Sequence, residues 1–197
     1  MRSRRLRAGA ARVCIGVAVA VAVLPGCAAS HYRQVACKGG SDKSIFLLEA
    51  QAVPSATLIP CVAALPSGWT YGGSSVRSGF VRFWLDSDRV GAHAVEVTMT
   101  RTCDVSAAIR VPLPPGLAGV SRYDDPTVGR LSDSISHFLF NGGCVTYRRS
   151  FARQSSPAIF DESDNFLGFT PRSVYVKGVR DDTGLTLCGA EAPPCPG

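Results

Sequence analysis

The sequence predicts an α+β domain that is β-rich, built from antiparallel hairpins with two or three short helices, and stabilised by disulfides. Three observations predict it. Several runs alternate apolar and polar residues at a period of two, most cleanly Val95, Val97 and Met99 against Glu96, Thr98 and Thr100. Turn residues such as Asn141-Gly142-Gly143 separate such runs at hairpin spacing. Six cysteines spread from Cys37 to Cys195 form an even set in a chain whose beginning has the pattern of an export signal.

That beginning comes first in order. Arg2, Arg4, Arg5, Arg7 and Arg12 precede an uncharged apolar segment, Val13 to Leu24, which Pro25-Gly26 ends. The segment is shorter than the roughly 20 residues of a spanning helix. Charged start, short apolar core and small residues at a cut site are the order of an export signal. Leu24-Pro25-Gly26-Cys27 resembles the lipobox of bacterial lipoproteins, and the resemblance implies cleavage before Cys27 and a diacylglyceryl group on its sulfur. The rival is ordinary signal peptidase cutting after Cys27-Ala28-Ala29, giving a secreted chain. The lipoprotein reading is preferred because leucine, glycine and cysteine all fall in register. Residues 1–26 are then the signal, 27–40 a short membrane-proximal tether, and 41–197 a single extracytoplasmic domain. The domain's candidate sub-lobe boundary is the proline-, glycine- and aspartate-rich stretch 111–133.

Charge and cysteine count change once the signal is set aside. The chain carries 21 basic and 15 acidic residues, a formal +6. Removing the five signal arginines leaves 16 bases against 15 acids, so the basic balance is an export device and nucleic acid is not an expected partner. Cys14 leaves with the apolar segment, and Cys27 is lipidated or removed. Cys37, Cys61, Cys103, Cys144, Cys188 and Cys195 remain, and six cysteines allow fifteen pairings. Cys188 and Cys195 are near enough to bridge locally. Few lysines beside many arginines, alanines and glycines resemble GC-rich actinobacterial coding.

Within the domain, Ile45 to Val53 is strand or helix, and a helical turn is expected over Cys61 to Leu65, starting at Pro60. Trp69 to Tyr71 reads as a strand ended by Gly72-Gly73, beside the antiparallel pair Phe80–Leu85 and Ala94–Thr102. Ile135 to Phe140 and Cys144 to Phe151 form a hairpin. Ser156-Pro157 opens a helix across Asp161 to Leu167, with its acids expected in the early turns. Thr170-Pro171 starts a segment that leans to helix over strand and stops at Gly184. Leu185 to Cys188 is expected as a last strand before an irregular tail.

Few constellations carry chemistry. Gly143-Cys144-Val145 resembles the core of the L,D-transpeptidase signature, which implies a nucleophilic Cys144 with His137 as its histidine. Asn141 and Thr146 stand where that family has serine and arginine, so a half-cystine after a hairpin turn is the preferred reading. Asp86-Ser87-Asp88-Arg89-Val90-Gly91 opens like a calcium loop, making Asp86 and Asp88 the alternative metal ligands, but Val90 and Val97 fall where oxygen ligands belong. Asp161, Glu162 and Asp164 read as a helix's first turn, and His31, His93 and His137 have no metal spacing. Trp69, Tyr71, Phe80, Phe83 and Trp84 could line a sugar or peptide site, with core packing preferred. No cofactor motif is present.

The expected function is therefore an envelope protein at the outer face of the cytoplasmic membrane, anchored by lipid on Cys27. It binds or scaffolds an envelope protein or cell-wall ligand without catalysis. The alternative is a cell-wall-active cysteine enzyme using Cys144.

Overall fold

A computed structural model describes residues 43–113, 117–126, 133–151 and 157–196. In chain order they form α1 (Lys43–Ala52), β1 (Leu58–Val62), β2 (Trp69–Arg77), β3 (Phe80–Ser87), β4 (Gly91–Thr100), β5 (Ile109–Val111), β6 (Ser121–Asp124), β7 (Asp133–Phe140), β8 (Gly143–Ser150), α2 (Pro157–Phe166), β9 (Leu167–Pro171) and α3 (Arg172–Thr183). Seven strands make an antiparallel sheet ordered β2-β3-β4-β8-β7-β6-β5, and β1 pairs antiparallel with β9 in a second, smaller sheet. The class is the one expected: α+β, β-rich, hairpin-built and disulfide-bonded.

The period-two pattern decides which face of the large sheet is dry. Val81, Phe83, Leu85, Val95, Val97, Met99, Phe138, Val145 and Tyr147 all bury on one side. The small sheet lies on that side through Phe169, whose ring stacks on Tyr147 at 5.9 Å and meets Phe138 at 5.4 Å. α2 adds Phe166 against Trp69 at 4.9 Å, and Ala52 and Val53 join the same cluster from the end of α1. A second cluster, Ala50, Ile59, Val176 and Leu187, forms where α1, β1, α3 and the tail meet.

The β7–β8 hairpin is closed by Asn141-Gly142, with Gly142 at φ 72°. Its tip is clasped by the link between α1 and β1. Ser55 Oγ donates to Gly142 O at 2.6 Å, and Thr57 Oγ1 donates to Asn141 O at 2.9 Å. A Cβ on Gly142 would run into the Ser55 carbonyl.

Several expectations need correction. Of the two states expected for Ile45–Val53 the structure takes helix, made of good helix formers and stopped before Pro54. Cys61 to Leu65 holds no helical turn; β1 runs through Pro60, because pairing with β9 buries Ile59 and Cys61, and a two-stranded sheet spares Pro60 a second hydrogen-bonding neighbour. β2 does not end at Gly72-Gly73 but passes through them on a bulge. The reason is room: a Cβ on either glycine would meet the Trp84 indole. Within the stretch 111–133, β6 and the end of β5 complete one edge of the large sheet.

In α2 the acids sit past the first turn, and Glu162 and Asp164 pair instead with arginines of the β3–β4 link and β8. Arg149, 3% exposed on β8, donates from Nε to Ser163 Oγ at 3.0 Å and pairs with Asp164, while Glu162 pairs with Arg89 at 2.7 Å. Leu167–Pro171, expected partly as the end of α2, is strand β9. α3 begins at Arg172 without a side-chain cap from Thr170, and Gly184 at φ 72° ends it as expected. Leu185–Cys188 is not a strand. Leu187 fills the second cluster, and the Cys188 carbonyl accepts from Arg172 Nη2 at 2.6 Å rather than from a ladder. The signal and tether expected at 1–40, with Cys27, His31 and Cys37, lie outside the described residues.

Candidate functional site

The chemistry-bearing side chains collect on the outer face of the large sheet, opposite the core. Register puts them in rows. His137, Thr146, Thr98 and Arg82 lie side by side across β7, β8, β4 and β3. The next row holds Leu139, Cys144, Thr100 and Phe80, and the row on the other side holds Ile135, Arg148, Glu96 and Trp84.

One centre lies at the β7–β8 end. Cys144 follows directly on the hairpin turn, where β8 begins beside Thr100 at the end of β4. The chain leaving β4 therefore passes over Cys144, and Cys103 closes a disulfide with it, Cα atoms 5.8 Å apart. His137 reaches the same spot from β7. Its Nδ1 shares a hydrogen bond with Thr146 Oγ1 at 2.9 Å, and Thr146 Oγ1 lies 3.4 Å from Cys103 Sγ. Cys144 is 1% exposed, whereas Cys103 and His137 are half-buried. Burial holds the imidazole below its usual pKa, against the pull of Asp125, Asp124 and Asp104. Asp104 is itself lowered by hydrogen bonding with Ser106, whose backbone N–H donates to Oδ1 at 2.9 Å.

The structure thus brings together the two residues singled out for thiol chemistry, but with the Cys144 sulfur bonded to Cys103. A sulfur in a disulfide is no nucleophile, so attack by Cys144 would first require reduction. The other cysteines among the described residues follow suit: Cys188 bonds Cys195, and Cys61 is disulfide-bonded.

The other end of the face is an aromatic and charged platform. Trp84 lies flat on the His93 ring, centroids 4.9 Å apart and planes 8° from parallel. Gly72 and Gly73 leave the space its indole occupies. The Arg82 guanidinium sits 5.7 Å over Trp84 and 3.8 Å from Glu96. Of the five aromatics proposed for a binding face, Trp69 and Phe83 are core, and Trp84 and Phe80 lie on the outer face. Tyr71 stacks on Phe83 at the sheet's rim, 41% exposed.

Asp86 and Asp88 do not converge. Asp86 Oδ1 accepts from the His93 backbone N–H at 2.7 Å across the hairpin end, and the Asp88 carboxylate turns towards Gly68 and Arg89. Sequence reasoning reached Cys144 and His137 but missed Thr146, Arg82, Glu96 and His93. Thr146 was within reach, two residues beyond Cys144 on a strand and so on the same face.

No family model matches the chain, and no curated protein matches it. Among solved structures, one from Bacteroides thetaiotaomicron VPI-5482 is similar at 9% identity with a TM-score of 0.32, covering 69% of this chain. The match spans 62% of that protein's length.

Proposed function

We propose that the chain is an exported envelope protein, anchored by a diacylglyceryl group on Cys27 to the outer face of the cytoplasmic membrane, that binds or scaffolds a wall ligand or envelope protein without covalent chemistry of its own. One observation supports it above the rest: every cysteine among the described residues is in a disulfide, including Cys144. That state suits an oxidising compartment and a structural use of sulfur. Two acyl chains give a stable anchor where one would not. The platform of Trp84, His93, Arg82 and Glu96 offers a flat aromatic surface with both charges at hand, the kind of surface a sugar ring or an extended peptide packs on.

A second reading has one observation in its favour, the convergence of His137 and Cys144 in a single cluster. It makes the chain a cysteine enzyme acting on the wall. Titrating thiols in the folded native protein separates the two: the binding reading expects none, and one reactive thiol at Cys144 would replace it with the enzyme.

A further inference from the structure

Cys103, Cys144 and His137 each bring a ligand atom to within 4.8 Å of the others. Two sulfurs and one imidazole are a donor set that borderline-soft cations prefer over calcium or magnesium. In a tetrahedral zinc site, with bonds of about 2.3 Å to sulfur and 2.0 Å to nitrogen, the ligand atoms stand roughly 3.5–3.8 Å apart. We propose that two-electron reduction of the Cys103–Cys144 disulfide turns this cluster into a zinc site, held by both thiolates and the His137 imidazole with the fourth position left to solvent.

The geometry carries the inference further than the usual disulfide does. Cα atoms 5.8 Å apart let the two thiolates part around one ion by side-chain rotation. His137 is set on a neighbouring strand in register with Thr146, so the third ligand is fixed by the sheet itself. The Thr146 hydroxyl touches both the imidazole and Cys103, which orients them as outer partners do at metal sites. Asp104, Asp124 and Asp125 act on His137 with negative charge, and a cation placed there feels the same field.

The step balances with a dithiol as reductant. Its thiolate attacks Cys103 Sγ, the more accessible sulfur, and Cys144 leaves as thiolate with the electron pair. The reductant's second thiol then displaces Cys103 and closes the reductant's own disulfide. Zinc binding expels to solvent whatever protons the two thiols still carry. Oxidation reverses the sequence and releases the ion.

The test uses the full chain, oxidised and dithiothreitol-reduced, titrated with Co²⁺ as a spectroscopic probe and then with Zn²⁺. Tetrahedral thiolate coordination gives cobalt intense visible bands and a sulfur charge-transfer band. The oxidised chain should show neither. The reduced chain should bind one equivalent more than reduced Cys103→Ser/Cys144→Ser, which keeps every other cysteine. His137→Ala should weaken that equivalent by about tenfold or more and change its visible bands. Equal stoichiometry in parent and double variant overturns the proposal, as does unchanged affinity in His137→Ala. If reduction melts the fold, zinc must restore the near-ultraviolet dichroism of the parent but not of the double variant; recovery in neither, or in both, overturns it.

Discussion

At the scale of single residues, Glu49 links stability to pH. Its side chain is 1% exposed in α1, Oε2 has no hydrogen-bond partner, and burial pushes its pKa up from 4.5 to about 8. The native state therefore holds a proton that the unfolded chain releases once pH passes about 4.5. Stability from this group is full below that value, falls as pH rises, and levels off beyond about 8, a loss of roughly 5 kcal/mol. Glu49→Gln should flatten the profile and melt above the parent at pH 8, with little difference at pH 4; denaturant unfolding across that range checks it. Gly142 is the second sensitive residue. Ala there meets both a left-handed backbone and the Ser55 carbonyl, so Gly142→Ala should cost about 2 kcal/mol or more by thermal unfolding. The turn that needs this glycine was legible, because Asn-Gly between alternating strands has few other uses. Glu49 was not, since an acid among apolar helix formers looks the same whether it faces water or the core. Nor was the partner of Cys144: Cys103 comes within reach only through β4–β8 pairing, a contact between strands separated by β5, β6 and β7 in the chain.

At the scale of elements, one buried arginine ties together what the small sheet alone would not. Arg172 opens α3 and is fully buried; it donates to Ala50 O at 2.5 Å, Gln51 Oε1 at 3.1 Å and Cys188 O at 2.6 Å. α1, α3 and the tail thus share one guanidinium. Arg172→Met leaves those acceptors unpaired and should cost about 3 kcal/mol, measured by urea unfolding, with the tail becoming the first segment cut by protease. The disulfides should rank by loop length. Cys103 and Cys144 are 41 residues apart, Cys188 and Cys195 only 7. Loop entropy makes Cys103→Ser/Cys144→Ser worse than Cys188→Ser/Cys195→Ser by roughly 1.5 kcal/mol. Strands with a single dry face, β3, β4, β7 and β8, were readable from alternation. β1, β9 and Leu185–Cys188 were misread because tertiary pairing, and not local pattern, decides short apolar stretches with proline beside them.

At the scale of the whole molecule, the seven-stranded sheet has one face sealed by helices and the small sheet, and an opposite face that carries both the Cys103–Cys144–His137 cluster and the Trp84 platform. Three strand-to-strand steps, about 14 Å at the usual spacing, separate His137 from Arg82 within their shared row. That is a span one oligosaccharide or extended peptide could cover. Trp84→Ala should abolish binding of such a ligand without lowering the melting temperature by more than a few degrees, as titration calorimetry with wall fragments can test. No helix among the described residues is long and apolar enough to cross a membrane, and the proposed attachment is the lipid on Cys27. Intact-mass analysis of the native protein, before and after alkylation, bears most directly on it. The account predicts a chain beginning at Cys27, heavier by its acyl groups, that takes up no alkylating agent until it is reduced. A chain still carrying residues 1–26, or one alkylated without reduction, would contradict it.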